Sequence, residues 1–302
     1  MNKYYKLINE PITKLIEKAN KIRQANFKNQ LDICTISNAK SGACTEDCKF
    51  CAQSSFYQTD IPIYNLKSIE EIVKEAKAAK ENGAARFGIV TSGNTLTEKE
   101  LDLIADAISL IKNQVKIIPC ASLGALTKKQ LQKLKDAGLV RYHHNLETAP
   151  EFFSKIVSTH TYQERITTVK AAKSIGLEVC CGGIMGLGES FEDRINFALL
   201  LKKLKVDSVP LNFLIPIKGT PLEYQPTISM DEAIRTIALF RIILKDKIIK
   251  IAAGRESILK DFQGLGFLAG ANGMLIGGYL TTRGRSVSED QKLIHEIEKM
   301  WQ

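Results

Sequence analysis

The chain has 302 residues, 44% of them hydrophobic and 25% charged, an ordinary globular composition. No apolar run approaches the roughly 18 residues of a membrane span, and residues 1–11 carry Lys and Glu where a signal peptide would be apolar, so a soluble cytoplasmic protein is expected. The net charge is +9, but lysines such as Lys74, Lys77 and Lys80 are spread along helix faces and no aromatic-interleaved basic stripe marks a nucleic-acid binder; a basic face suits an acidic electron-donor protein instead.

In chain order, helix and strand signals alternate. Residues 11–26 read as an N-terminal helix, and the β-branched run 31–37 as a short strand. A cysteine-rich loop follows. Ser68-Ile-Glu-Glu71 is a capping box opening a helix to Gly83, and 85–91 is a strand. Thr97-Glu-Lys-Glu100 caps a helix before a strand at 115–122. Thr127-Lys-Lys-Gln130 caps the next, before a strand at 139–146. Thr161-Tyr-Gln-Glu164 caps another, before a strand at 177–182. Then come a helix at 190–204, a strand at 208–215, a helix capped by Ser229-Met-Asp-Glu232 and a strand at 248–253. A helix at 256–268, an eighth strand at 273–279 and an amphipathic helix at about 288–301 complete the chain.

Eight strands alternating with helices, without a composition break or long linker, predict a parallel sheet. Eight units in this length favour one α/β domain over residues 1–302, a closed (β/α)8 TIM-type barrel rather than an open doubly wound sheet. No G-x-G-x-x-G turn follows the first strand, which weakens a dinucleotide-binding alternative. Such barrels build their active sites at the C-terminal strand ends and the loops beyond them.

The cysteine loop falls there. Cys44-Thr-Glu-Asp-Cys48-Lys-Phe-Cys51 sets three cysteines at spacing C-x3-C-x2-C. Zinc sites and ordinary ferredoxin clusters take four protein ligands. Three thiolates can hold three irons of a 4Fe–4S cube and leave the fourth open to a ligand. The loop resembles that of the radical S-adenosylmethionine (SAM) enzymes, in which the amino and carboxylate groups of SAM chelate the open iron. The plainer alternative is a zinc knuckle completed by a distant Cys or His, although structural zinc usually pairs two C-x2-4-C units. The other cysteines, Cys34, Cys120, Cys180 and Cys181, lie in apolar strand-like runs. Singly each reads as an inert core thiol; as a set they are candidates for a second metal centre. A disulfide framework does not suit a cytosolic chain.

Other strand ends offer ligand groups. Asn145 and Glu147, two apart, share a face and suit ribose hydroxyls. Arg165 is a cation in a first helical turn, where the dipole disfavours it, and is a candidate for a ligand carboxylate. Gly182-Gly-Ile-Met-Gly-Leu-Gly-Glu189 ends the fifth strand and would let backbone approach a ligand closely. Asn212 sits in an apolar strand, where it is either satisfied by backbone or aimed at a ligand.

The stretches Ser41-Gly-Ala-Cys-Thr-Glu-Asp-Cys-Lys-Phe-Cys-Ala-Gln53, His144-Asn-Leu-Glu-Thr148, Thr161-Tyr-Gln-Glu-Arg165, Gly182 to Glu189, Val209-Pro-Leu-Asn212, Lys218-Gly-Thr-Pro221, Ala253-Gly-Arg-Glu256 and Ala269-Gly-Ala-Asn272 together resemble the biotin synthase family along nearly the whole chain. That resemblance implies conversion of dethiobiotin to biotin with radicals made from SAM, the sulfur coming from an auxiliary iron–sulfur cluster in the barrel. By resemblance, Cys44, Cys48 and Cys51 hold the 4Fe–4S cluster. Phe50, Asn145, Glu147, Arg165, Gly182, Ile184, Gly186, Glu189 and Ile215 surround SAM, and Asn145, Asn212 and His143 face dethiobiotin. The resemblance also implies a homodimer and reduced flavodoxin or ferredoxin as electron donor. Many relatives hold a 2Fe–2S cluster on three strand cysteines and an arginine. Cys120, Cys180 and Arg255 match three of these positions, whereas the second-strand position is Gly88 here. Cys34 is the candidate replacement, with Cys181 a further one, and the centre is either 2Fe–2S or a four-iron type. Rival readings are another radical SAM barrel, of hydrogenase-maturation or thiazole-forming type, and an iron–sulfur carrier or electron-transfer protein without chemistry of its own.

Overall fold

The computed structural model describes residues 3–302. Nine strand segments form one sheet: β1 (Asp32–Lys40), β2 (Arg86–Thr91), β3 (Ile118–Ser122), β4 (Arg141–His143), β5 (Glu178–Cys180), β6 (Gly183–Met185), β7 (Ser208–Phe213), β8 (Ile248–Ile251) and β9 (Gly273–Leu275). Every laddered pair is parallel. The order β5-β4-β3-β2-β1-β9-β8-β7-β6 is closed by a further β5–β7 pairing. β5 and β6 are halves of one strand, broken at Cys181-Gly182, so the nine segments make eight barrel positions. This is the expected (β/α)8 barrel.

Capping chemistry starts the helices where the sequence places them. In α2 (Ile69–Glu81), α3 (Glu98–Leu110), α4 (Lys128–Ala137) and α6 (Tyr162–Ser174) the Ser or Thr side chain and the Glu or Gln three residues on satisfy each other's amides. A four-residue helix, α5 (Pro150–Phe153), precedes α6, and α7 (Phe191–Lys203) follows it. Ser229 caps α8 (Met230–Leu244) in one direction only, because the Glu232 carboxylate turns to Arg194 at 2.8 Å. Lys260, at φ +49°, breaks the expected 256–268 helix into α9 (Arg255–Leu259) and α10 (Gln263–Leu268). The third strand starts later than expected, because residues 111–115 form a π turn ended by left-handed Lys116. The eighth barrel position stops at Leu275, before Gly277 turns at φ +78°.

Alternation along each strand separates two interiors. Phe87, Ile89, Ala121, Tyr142, Val179, Val209, Leu211, Ile249, Ile251 and Met274 face outward into the core shared with the helices. N-terminal α1 (Ile12–Phe27) and C-terminal α11 (Val287–Met300) meet on that outer layer, where the Arg23 guanidinium lies 3.8 Å from the centre of the Trp301 ring. The inward residues begin with an ionic floor. Asp32 binds Lys250 at 2.5 Å and Arg86 at 3.0 Å, with Arg141 at 3.6 Å, and Arg141 also binds Glu178 at 2.8 Å. Burial pulls the Asp32 pKa up, but Lys250, Arg141 and Arg86 together hold the carboxyl at about 2.

Candidate active site

A cavity of about 420 Å³ opens at the C-terminal end of the barrel. Its roof is the loop leaving β1. Gly42 (φ +73°) and Ala43 (φ +48°) turn the chain off the strand, and the Gln53 side chain accepts from the Gly42 amide at 3.2 Å. The Cys44 amide donates to Gln53 O at 3.0 Å, the Ser55 amide to Cys44 O at 2.7 Å, and the Cys51 amide to Cys48 O at 2.9 Å. Outside, Asp47 accepts from the amides of Ser158 at 2.9 Å and Thr159 at 3.1 Å. Burial raises its pKa, but the Ser158 and Thr159 hydrogen bonds outweigh this and keep it at about 2. Cys48, with Phe50 packed against it, belongs to a small apolar cluster with Phe152, Phe153, Leu187 and Leu214.

Cys44, Cys48 and Cys51 all line the cavity. Burial pushes the Cys51 thiol up to about 11 and the Cys48 thiol upward as well, so iron binding here must displace protons. Among the described residues no three His, Cys, Asp or Glu side chains converge tightly enough to hold a single metal ion. Three thiols presented by a hydrogen-bonded loop fit a cube-shaped cluster instead, in which each iron takes one thiolate.

The second wall comes from the end of β4 and the first turn of α6. Asn145 Nδ2 lies 3.5 Å from Glu147 Oε2, and Asn145 Oδ1 accepts from the Gly182 amide at 3.1 Å. Glu147 is left-handed at φ +67°, a conformation costing about 1 kcal/mol or more outside glycine. It is held by its carbonyl, which accepts from the Ile184 amide at 2.8 Å. A Cβ at Gly183 would lie 2.1 Å from that carbonyl oxygen, and one at Gly182 2.0 Å from Pro210 O, so this crossing requires glycine twice. Burial raises the Glu147 pKa, against the lowering pull of Arg165. Arg165 donates to Asn145 O at 2.8 Å and to His160 Nε2 at 2.9 Å, and His160 Nδ1 lies 2.5 Å from Glu46. A polar line thus runs from the cysteine loop through Glu46, His160 and Arg165 to the strand end.

Asn212 and Ile184, with Ile215 beyond β7, form the opposite wall. Asn212 donates to Gly183 O and accepts from the Ala253 amide, both at 3.2 Å, so half its hydrogen-bonding capacity is spent on backbone. Below, Cys34, Cys180, His143 and Lys250 line the deeper cavity, and Cys120 is fully buried on the neighbouring inward face. Burial raises the Cys120 thiol to about 12 and Cys180 in the same direction. Burial, then Arg141, Lys250 and Arg86, push the His143 pKa well down, so its imidazole is neutral.

Several expectations are corrected. Arg255 does not face the thiols. It is fully buried beyond the sheet, bound to Asp290 at 2.7 Å, to Gln263 and to Leu275 O, where it anchors α11. The basic residue facing the interior is Lys250, which sequence reasoning missed; a lone lysine inside the run Ile248-Ile-Lys-Ile251 is the signal that could have found it. Cys181 faces outward into the core between sheet and helices, opposite Cys180. Gly182, Gly186 and Glu189 support the cavity from behind without lining it. The Glu189 carboxylate accepts from the Gly186 amide at 2.9 Å and from Arg194 at 2.6 Å, both side chains buried. Glu46, His160, Thr281 and Thr282 also belong to the site or its support, and nothing in their local spacing announces it.

Residues 39–201 match the Radical SAM superfamily, and residues 210–298 match the Biotin and Thiamin Synthesis associated domain. The fold agrees: methylornithine synthase superposes with a TM-score of 0.84 over 99% of this chain and 92% of its own, at 21% identity. The FeFe-hydrogenase maturase HydG from Carboxydothermus hydrogenoformans superposes with a TM-score of 0.82 over 96% of this chain and 72% of its own, also at 21% identity. A barrel carrying three loop thiols above an enclosed cavity is thus of the radical SAM class. A biotin synthase of Thermotoga neapolitana is 58% identical over 90% of this chain and 97% of its own. One of Thermotoga petrophila is 54% identical over 95% of both. The chain belongs to the biotin synthase family of the radical SAM superfamily.

Proposed function

We propose that this chain is a sulfurtransferase that inserts sulfur into dethiobiotin to form biotin, with residues 1–302 acting as one domain. The observation that carries this reading is the shared cavity: the three loop thiols and the interior thiols Cys34 and Cys180 line one enclosed space. When bound, SAM and its 4Fe–4S cluster supply the hydrogen-abstracting radical, and the auxiliary iron–sulfur cluster supplies the sulfur atom. The chain's own residues bind, orient and shield. Cys44, Cys48 and Cys51 hold the SAM cluster. Arg165 meets the SAM carboxylate, Asn145 and Glu147 its ribose, and Phe50, Ile184 and Ile215 give apolar walls. Asn145 and Asn212 face the ureido ring of dethiobiotin, and the amide capacity that Asn212 keeps free suits a neutral urea.

Cys34, Cys120 and Cys180 hold the auxiliary cluster, with Lys250 beside it. The floor itself supports an anionic occupant: Arg86, Arg141 and Lys250 face only Asp32 and Glu178, and Arg141 Nη1 has no hydrogen-bond partner among the described residues. Reduced flavodoxin or ferredoxin, acidic proteins, suit the +9 chain as electron donors. A cytoplasmic homodimer completes the reading, and no described helix is long and apolar enough to cross a membrane.

The test is anaerobic reconstitution with iron and sulfide, reduction, and addition of SAM with or without dethiobiotin. Dethiobiotin-stimulated release of 5′-deoxyadenosine together with biotin is expected. SAM cleavage indifferent to dethiobiotin would favour a different radical SAM activity.

A further inference from the structure

The interior site has three thiols on β1, β3 and β5 and nothing to offer from β2, where the inward residue is Gly88. The space above Gly88 is not vacant. A Cβ built there would lie 3.5 Å from Cε1 and 3.8 Å from Nδ1 of His143, and 3.2 Å from Ile36 Cγ2. The imidazole of β4 thus leans over the bare position on β2, and a longer side chain at 88 would compete with it for the same room. In the ladders Gly88 pairs with Cys120, and His143 pairs with Cys180. The ring therefore stands between the strands that carry two of the thiols, on the same inward face.

Its hydrogen bonding is unfinished. His143 Nε2 is shut from solvent and has no partner among the described residues. A buried nitrogen left so costs about 1–3 kcal/mol unless a ligand takes it. His144, the next residue, points the other way and stacks on Tyr142. Charge gives the same direction. The floor has three cations against two carboxylates, so an anionic thiolate-bound cluster balances it and a neutral nitrogen donor adds nothing to balance. Imidazole is an accepted replacement for thiolate on iron–sulfur clusters, and it raises their potential.

We infer that His143 is the fourth protein ligand of the interior cluster, a ring nitrogen completing the set Cys34, Cys120 and Cys180 in the place that Gly88 leaves open. This rests on the interior site proposed above and differs from a contact to the ureido ring of the substrate.

The test uses the reconstituted, reduced full-length protein, grown with natural-abundance or 15N-labelled histidine. Iron and sulfide content and electron spin-echo modulation are measured for wild type, His143→Asn and His143→Cys. A histidine-nitrogen coupling that changes on 15N labelling is expected in wild type and lost in both variants. The His143→Cys protein is expected to keep full interior iron with a more negative midpoint potential, and His143→Asn to lose interior iron. Unchanged coupling and iron in His143→Asn, with weakened dethiobiotin binding alone, would overturn the assignment in favour of a substrate contact. Wild-type protein with no iron beyond the SAM cluster would instead overturn the interior site itself. Interior iron without any histidine coupling leaves that site standing and removes His143 from it.

Discussion

The two thiol sets of this barrel are built in opposite ways. Cys44, Cys48 and Cys51 lie within eight residues, on one loop whose own amides and carbonyls fix its shape. Cys34, Cys120 and Cys180 come from three strands, and only barrel closure and strand register bring them to one face. The first set is a local device set on the scaffold. The second is part of the scaffold, resting on an ionic floor that also holds the strands together. Damage to the first should therefore be chemical, whereas damage around the second should reach stability as well.

The largest expected effect is a clean division of chemistry. Cys48→Ala should abolish reductive SAM cleavage, while Cys34→Ala should keep 5′-deoxyadenosine formation, lose interior iron and make little biotin. Product chromatography with iron counting reads both, and wild-type cleavage by Cys48→Ala would erase the distinction.

Next come the buried charges. Asp32→Asn removes the centre of the floor, and Arg255→Met removes the anchor of α11. Breaking such a buried pair costs about 3–5 kcal/mol, so both should shift denaturation midpoints strongly. Only Asp32→Asn should also alter interior iron, because Arg255 lies outside the cavity. Acid sharpens the point. The folded Asp32 pKa of about 2 lies below the ordinary carboxyl value, so its contribution is complete above about pH 4 and is lost as pH falls toward 2. Urea midpoints should fall over that window in wild type and less so in Asp32→Asn. An equal fall in both would remove the floor from the account.

Smaller still is Arg165→Ala, which should weaken SAM binding by about 1.5–3 kcal/mol, the value of a charge-assisted hydrogen bond. Dethiobiotin affinity at saturating SAM should stay near wild type. Equal losses for both ligands would mean that the polar line from Glu46 to Asn145 is structural rather than a ligand site.

This contrast also explains what the sequence made legible. The loop spacing and the capping boxes at Ser68, Thr97, Thr127 and Thr161 are local chemistry, and they can be read without coordinates. Period-two alternation likewise separates Cys180 from Cys181. Arg255 and Lys250 show where such reading stops. Both sit near the end of the same strand-to-helix passage, and a motif position does not say which side of the sheet a side chain takes. Arg255 starts α9, beyond the strand, and turns away; Lys250 lies within β8, where alternation aims it inward. His143 was legible as a cavity residue, but its relation to Gly88 depends on two strands that are not adjacent in the sheet. The line Glu46–His160–Arg165 joins segments more than a hundred residues apart, which no local pattern encodes.

The ionic floor has one more consequence, for traffic. With Asp32, Arg86, Arg141, Glu178 and Lys250 closing the strand N-termini, the barrel has a single door, under the cysteine loop. Two organic molecules and their products must use it in turn. Whatever settles nearest the interior thiols has to arrive before the molecule that lies above it, and it departs afterwards. The order of loading and release is thus imposed by the shape of a dead-end passage, independently of how tightly either molecule is held.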